Sequence, residues 1–314
     1  MRVYEGKNQQ GMPAVFVEGV TDFVPQHIFG CGQCFRWTVL PDGGYAGVAG
    51  GRYAVIRCKG TTLCIEGADL TAYEVFWKDY LDLQTDYAYI KAKLADGDSY
   101  LQTAVLFGNG IRLLRQEPFE TLITFILSSN NNIPRIRGCV ERIAQTYGSA
   151  MRICGSNGPQ TVYAFPSPEQ LAAADCGGLS ACCRAGYRCA YIVKACAQYL
   201  SRPIAPEALR NLPLKEARTA LMAYSGVGPK VADCILLFTG CRRDVFPVDV
   251  WVRRVMETLY FGRPAPLRDI EAFIRARFGN LAGYAQQYLF YYMRSVCTGK
   301  GTGGTDIPRT AAGT

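Results

Sequence analysis

From about Pro13 to Glu66, apolar and polar residues alternate over short runs, the period of half-buried strands. The alternation puts Phe35, Trp37 and Val39 on one face of a strand, with Arg36 and Thr38 on the other. Pro41-Asp42-Gly43-Gly44 and Gly50-Gly51 read as turns, and Arg52–Cys58 and Thr61–Glu66 continue as strands, which predicts an antiparallel sheet. From about Leu70 to Tyr292 the apolar period becomes helical. Phe119, Leu122, Ile123, Ile126 and Leu127 form one stripe, and Val140, Ile143, Ala144 and Tyr147 another. Pro166–Pro168 and Pro203–Pro206 punctuate the helices. The fold class expected is α+β, an N-terminal antiparallel sheet followed by a helical bundle. Residues 1–110 form a β-rich domain with flanking helices, 111–297 a helical region, and 298–314, rich in Gly and Thr, a disordered tail. No internal repeat is visible.

Composition narrows the function classes. Of 314 residues, 49% are hydrophobic and 19% charged, a globular balance. The excess of 34 Lys+Arg over 26 Asp+Glu leaves +8, which leans toward an anionic partner without identifying one. No apolar run approaches the ~18 residues of a membrane span, and the N-terminus has no apolar signal core. The expectation is therefore a cytoplasmic protein, nucleoid-associated if bacterial, that touches no membrane and works as a monomer. Fourteen cysteines in such a chain read as small buried thiols. Cys31 and Cys34 form a C-x-x-C, and Cys176, Cys182, Cys183 and Cys189 lie close in sequence. The single histidine, His27, is not spaced to complete a zinc site with either group. No metal and no cofactor are expected.

The candidate chemistry gathers between 214 and 254. Leu214–Tyr224 is amphipathic, with Leu214, Ala217 and Leu221 in line, and it is followed by Ser225-Gly226-Val227-Gly228-Pro229-Lys230. Two glycines around one apolar residue make a tight turn, and Pro229 suits the first turn of a second helix. Such a hairpin lets backbone N–H groups and a helix N-terminus meet a phosphate. It reads equally as a plain helix-turn-helix corner. Nineteen residues beyond Lys230 stands Asp249, suited to cap a helix starting at Val250. In a shared cleft, a desolvated lysine is a nucleophile toward a sugar carbon, and a carboxylate stabilises an oxocarbenium-like centre.

Gly226-Val227-Gly228-Pro229-Lys230 with Pro247-Val248-Asp249 resembles the helix-hairpin-helix, Gly/Pro-rich loop and Asp signature of base-excision DNA glycosylases. Within that superfamily the chain resembles the 8-oxoguanine DNA glycosylase/AP lyase family. Gly32-Gln33-Cys34-Phe35-Arg36-Trp37 is similar to its Gly-Gln-Ser-Phe-Arg-Trp segment. Arg112–Gln116 through Ser128–Ile133 resembles its central helices, and Ala285–Phe290 its C-terminal pocket helix. The likeness runs from about residue 12 to residue 294.

The resemblance implies a bifunctional enzyme acting on double-stranded DNA that carries oxidised guanine opposite cytosine. Lys230 would attack C1′ and form a Schiff base, Asp249 would orient and stabilise, and β-elimination would follow. Gly32 would accept the N7 hydrogen of the base through its carbonyl, Gln286 would bond the Watson–Crick edge, and Phe290 and Cys234 would pack on the base faces. Asn130, Asn131, Arg135 and Arg188 would attend the opposite base and the duplex, with Tyr187 wedged into the stack. Gly226, Val227 and Gly228 would hold phosphate. Plainer readings stand beside these: Gln286 and Phe290 as a core edge, Asn130–Asn132 as a helix cap. Cys34 replaces the family's serine, and Trp251 stands where relatives often hold a histidine near phosphate. Only Cys297 follows Asp249, so the iron–sulfur cluster of related branches has no ligands there. Two other functions fit parts of the pattern. An alkylpurine glycosylase would lack the lysine, and a non-catalytic helix-hairpin-helix DNA-binding protein would need neither Asp249 nor the Gly32 and Gln286 segments.

Overall fold

The computed structural model describes residues 1–8, 10–155 and 158–299. Six antiparallel strands form the N-terminal sheet: β1 (Arg2–Lys7), β2 (Pro13–Glu18), β3 (Trp37–Val39), β4 (Tyr45–Ala49), β5 (Arg52–Lys59) and β6 (Thr62–Glu66). Their order is β1-β2-β6-β5-β4-β3. Register follows the apolar alternation: Val15 pairs with Ile65, Val17 with Leu63, and Ile56 with Ile65. All five are fully buried. A one-residue slip would turn this row to the other face, so the core fixes the pairing. The row packs on Trp37, Tyr73, Trp77 and Phe29. Trp37 stacks on Phe29 at 4.2 Å between centroids, and its indole N–H donates to Tyr80 Oη at 2.8 Å.

The Phe35–Val39 alternation is corrected in part. The strand begins only at Trp37, so Arg36 lies in the loop before it and is buried, while Val39, at the sheet's edge, is 58% exposed. A second ribbon, Ala150–Gly155 paired with Gly158–Tyr163, interrupts the helical region and was not expected.

Helices from Tyr87 onward build the second core. Ile90, Leu94, Leu101 and Ala104, all before residue 110, pack into this helical core rather than against the sheet. Its centre is the helix Pro118–Ser128, in which Phe119 and every residue from Thr121 to Leu127 are buried. The sequence stripe was only its most apolar side, because neighbours cover the whole circumference. Phe125 stacks on Phe238 of the helix Pro229–Phe238 at 5.1 Å and meets Phe35 edge-on at 6.1 Å. The last helix runs Ala282–Gly299. Most of the expected tail lies outside the described residues. Among the described residues no helix is long and apolar enough to cross a membrane.

The two cores are tied by Gln33, whose side chain is fully buried. Its Nε2 donates to Ile28 O at 2.9 Å and Arg112 O at 2.8 Å, and its Oε1 accepts from Leu114 N at 2.9 Å. Its own carbonyl accepts from Gln116 Nε2 at 2.7 Å. Truncation would strand an N–H and two carbonyls away from water. Gln33→Ala should therefore destabilise the fold by about 3 kcal/mol, read from denaturant unfolding. A loss below about 0.5 kcal/mol would mean that water replaces the amide fully.

Candidate active site

The hairpin joins the helix Leu214–Met222 to the helix Pro229–Phe238. Gly226 carries the turn at φ +81°, and a Cβ there would lie 2.7 Å from Tyr191 Cβ, so both backbone and space demand glycine. Gly228 differs. Its φ of −96° is ordinary, and it serves as the N-cap, with Pro229 beginning the helix and open space beside it. The hairpin helices are clamped by Arg218, whose Nε and Nη2 reach the two oxygens of buried Asp233 at 2.7 and 2.9 Å. The sequence reading missed this pair. Basic and acidic residues fifteen apart, each one turn inside its helix and flanking the glycines, were the available signal.

Lys230 enters in the first turn of the second helix and is half-buried. Its Nζ donates to Ser128 Oγ at 3.1 Å and lies 5.6 Å from the centroid of the Phe125 ring. One turn on, Cys234 is buried. Burial pushes its thiol up to about 11, opposed by the nearby Lys230 charge and reinforced by Asp233 and Asp249. The charges of Lys230 and Asp249 thus act on this thiol in opposite directions. Asp249 is the N-cap of the helix Val250–Met256, its Oδ1 accepting from Val252 N at 2.7 Å. The capping role is therefore real, and it fixes the carboxylate at the start of that helix.

Trp251, on the same helix, meets Phe290 edge-on with centroids 5.3 Å apart. Phe290 faces the loop at Gly32, where φ is +87° and a Cβ would stand 3.2 Å from Phe290 Cε1 and 2.9 Å from Arg294 Nη1. Gln287 Nε2 pins that loop by donating to Cys31 O at 2.9 Å. One turn before Phe290, Gln286 is buried, and its Oε1 has no hydrogen-bond partner among the described residues. A core-edge glutamine would satisfy that oxygen. Left open one turn before Phe290 on the same helix, it is an acceptor suited to an incoming N–H donor.

The third group lies on the side of Tyr187 and Asn130. Asn130 has left-handed φ of +48° after the end of the Pro118–Ser128 helix, and Asn132 caps Ile133–Tyr147 by accepting from Arg135 N at 3.0 Å. Asn131 instead donates to Leu127 O at 3.0 Å. Arg188 is buried. Its guanidinium donates to Ser129 O through Nε at 2.9 Å and again through Nη2, to Asn130 O at 2.8 Å and to Ala185 O at 3.2 Å. It is the strut of the asparagine turn in this state. Arg135 is exposed and makes one bond, Nη2 to Arg184 O at 3.1 Å. Tyr187 is 58% exposed, with the Arg188 guanidinium 4.5 Å over its ring.

A groove of about 610 Å³ runs along the Asp233 side of the hairpin, between Arg218, Phe246, Val248 and Glu271. Of the candidate residues it touches only Lys230. Among the described residues no group of three or more His, Cys, Asp or Glu side chains is placed to hold a metal ion.

Comparison with known proteins identifies what the chain is similar to. The 8-oxoguanine DNA glycosylase N-terminal domain model matches residues 15–122, and the HhH-GPD superfamily base excision DNA repair protein model matches 123–278. The N-glycosylase/DNA lyase OGG1 of Arabidopsis thaliana is 30% identical over 279 residues, 83% of this chain and 75% of that protein. The solved structure of MBOgg1 with a low affinity DNA ligand shares 40% identity and superposes with a TM-score of 0.87, covering 95% of this chain and all of that one. The Clostridium acetobutylicum 8-oxoguanine glycosylase/lyase, solved with double-stranded DNA containing cytosine opposite 8-oxoG, shares 36% identity at a TM-score of 0.87, covering 95% and 99%.

The state of Cys234 can be read directly. A thiol titrating near 11 is neutral at ordinary pH, and its thiolate fraction grows only as pH climbs toward that value. In folded protein at about pH 8, iodoacetamide should label exposed Cys176 and spare Cys234, whereas in denaturant both should label, as followed by peptide mass spectrometry. Equal labelling of the two in the native state would contradict the buried, neutral thiol. With family models matched over residues 15–278 and a relative 30% identical across three quarters of its length, the chain belongs to the 8-oxoguanine DNA glycosylase/AP lyase family.

Proposed function

We propose that this chain, acting as a monomer on double-stranded DNA, excises 8-oxoguanine opposite cytosine and then cuts the strand through a Schiff base on Lys230. The observation that carries the reading is Lys230 in the first turn after the glycine hairpin, its Nζ held on Ser128 Oγ, with Asp249 capping a following helix and the buried Gln286 Oε1 left without a donor among the described residues. The Lys230 amine adds to C1′ as the C1′–N9 bond breaks. The base departs with the bonding pair and takes up a proton, and the amine gives up its own. Asp249, held at a helix N-terminus, stabilises the positive charge that develops on the sugar. Ring opening yields the iminium. Loss of a C2′ proton then expels the 3′ phosphate, and water releases the lysine.

8-Oxoguanine differs from guanine in carrying a hydrogen on N7. The Gly32 carbonyl, on a loop where only glycine fits, is the acceptor for it, and guanine would present a lone pair there instead. Gln286 takes the Watson–Crick edge, while Phe290 and Cys234 cover the two faces. Gly226, Val227 and Gly228 hold a phosphate at the helix N-terminus. Tyr187, exposed on the Asn130 side, fills the gap left by the flipped base.

Lys230→Gln should abolish borohydride trapping and strand cleavage while leaving duplex affinity within about threefold, because many phosphate contacts carry the affinity. Asp249→Asn should slow base release by at least ~10²-fold at nearly unchanged stability, since Asn caps as well as Asp. Single-turnover cleavage of an 8-oxoguanine:C duplex, with and without borohydride, measures both. Normal trapping by the glutamine variant removes Lys230 from the mechanism, and an alkylated purine cut in preference to 8-oxoguanine favours the alkylpurine reading.

The opposite base is assigned to Arg135, with Arg188 and Asn131 shaping the turn that presents Asn130. A guanidinium donates to the acceptor edge of cytosine and meets the amino group of adenine. Arg135→Ala should reduce the cleavage ratio of lesion:C over lesion:A duplexes by about tenfold. An unchanged ratio would place the discrimination elsewhere. Arg188→Ala should weaken binding to both duplexes alike, because it frees the turn.

A further inference from the structure

We infer that Ser128 is a positioning residue for Lys230, setting the direction of the amine's lone pair; the inference rests on the Schiff-base reading above. Ser128 is the last residue of the buried helix Pro118–Ser128. Its hydroxyl has one hydrogen, given to Phe125 O at 2.8 Å. Toward Lys230, 3.1 Å away, the oxygen therefore presents only lone pairs. Nζ must be the donor in this contact whether it is charged or neutral.

The consequence lies in the neutral form, which is the one that reacts. A primary amine has two hydrogens and one lone pair. With one N–H spent on Ser128 and the Phe125 ring 5.6 Å from Nζ on the same wall, the lone pair is turned away from Ser128 Oγ. The alternative rotamer state, lone pair against Ser128 Oγ, sets two acceptors face to face and is repelled. A hydroxyl whose hydrogen were free could flip and donate to the lone pair, which would mask the nucleophile. Its bond to the Phe125 carbonyl prevents that. Ser128 thus makes no contact with substrate; it acts on the geometry of attack, where small misplacement is heavily penalised.

The test compares wild type, Ser128→Ala, Ser128→Thr and Lys230→Gln at saturating 8-oxoguanine:C duplex, measuring the single-turnover rate of borohydride trapping, the duplex Kd and the melting temperature. Ser128→Ala should trap about 10- to 10²-fold more slowly, with Kd changed less than about threefold. Ser128→Thr, which keeps the hydroxyl, should recover most of the rate. Wild-type trapping by the alanine variant overturns the inference and leaves the Schiff base standing. So does a threonine variant as slow as alanine while both melt with wild type, or a rate loss matched by an equal loss of affinity or stability. Absence of trapping in wild type itself, at the same level as Lys230→Gln, overturns the Schiff-base reading instead.

Discussion

The loop that carries Gly32 depends on the burial of one uncharged polar side chain, Gln33, where sheet and helices meet. A primary amide can donate and accept in one plane, so it can bridge three backbone groups with no charge to desolvate. Gln33 uses that capacity on Ile28 O, Arg112 O and Leu114 N, and so locks the loop from Cys31 to Arg36 onto the segment that feeds the central helix. Gly32 immediately precedes it. The loop that faces Phe290 is rigid because its neighbour is inside the protein, and Gln287 fastens the opposite side of the same loop to Cys31 O. A leucine at 33 would fill the volume and leave all three backbone groups unpaired, which explains why a polar residue sits at the least exposed position of the junction.

Much of this was legible from the chain. The antiparallel sheet, the helical region, the hairpin between Leu214 and Phe238 and the cap at Asp249 all follow from local patterns, because turns, caps and periodicity are encoded within a few residues. What local patterning misjudged was set by packing from afar. The alternation put Phe35 and Val39 on one strand face and Arg36 on the other, yet the strand starts at Trp37, and Arg36 is buried with its Nη2 donating to Tyr163 O. The ribbon at Ala150–Tyr163 was missed although Gly155-Ser156-Asn157-Gly158 flanked by short β-prone runs is a turn signal in its own right.

The candidate site divides the same way. Residue types and spacing pointed to Lys230, Asp249 and the glycines, since their chemistry is visible in their identity. Partners separated by long stretches of chain were not visible: Ser128 lies 102 residues before the lysine it holds. Arg188 shows the converse. Its identity suggests a base reader, but its burial commits the guanidinium to the carbonyls of Ser129, Asn130 and Ala185. Whether an arginine reads a ligand or braces a turn is decided by what surrounds it, and one sequence does not contain that information.

The placement of the reactive groups has a common physical logic. Inside a helix every backbone N–H and carbonyl is already paired, so an apolar core of helices offers little polar capacity except at helix ends. Here three such ends carry the candidate groups: the end of Pro118–Ser128, the start of Pro229–Phe238 and the start of Val250–Met256. Ser128 closes the first, Lys230 opens the second and Asp249 caps the third. Each side chain is held by backbone at its own terminus: Ser128 through Phe125 O, Asp249 through Val252 N, and Lys230 through a first turn preset by Pro229 and clamped from behind by Arg218 and Asp233. Helix termini thus supply fixed polar groups without opening a water-filled gap in the core. The same termini are the parts of helices that reach the surface, which is where a DNA backbone can meet them. Reactivity and access are therefore both met by placing the reactive groups at helix ends.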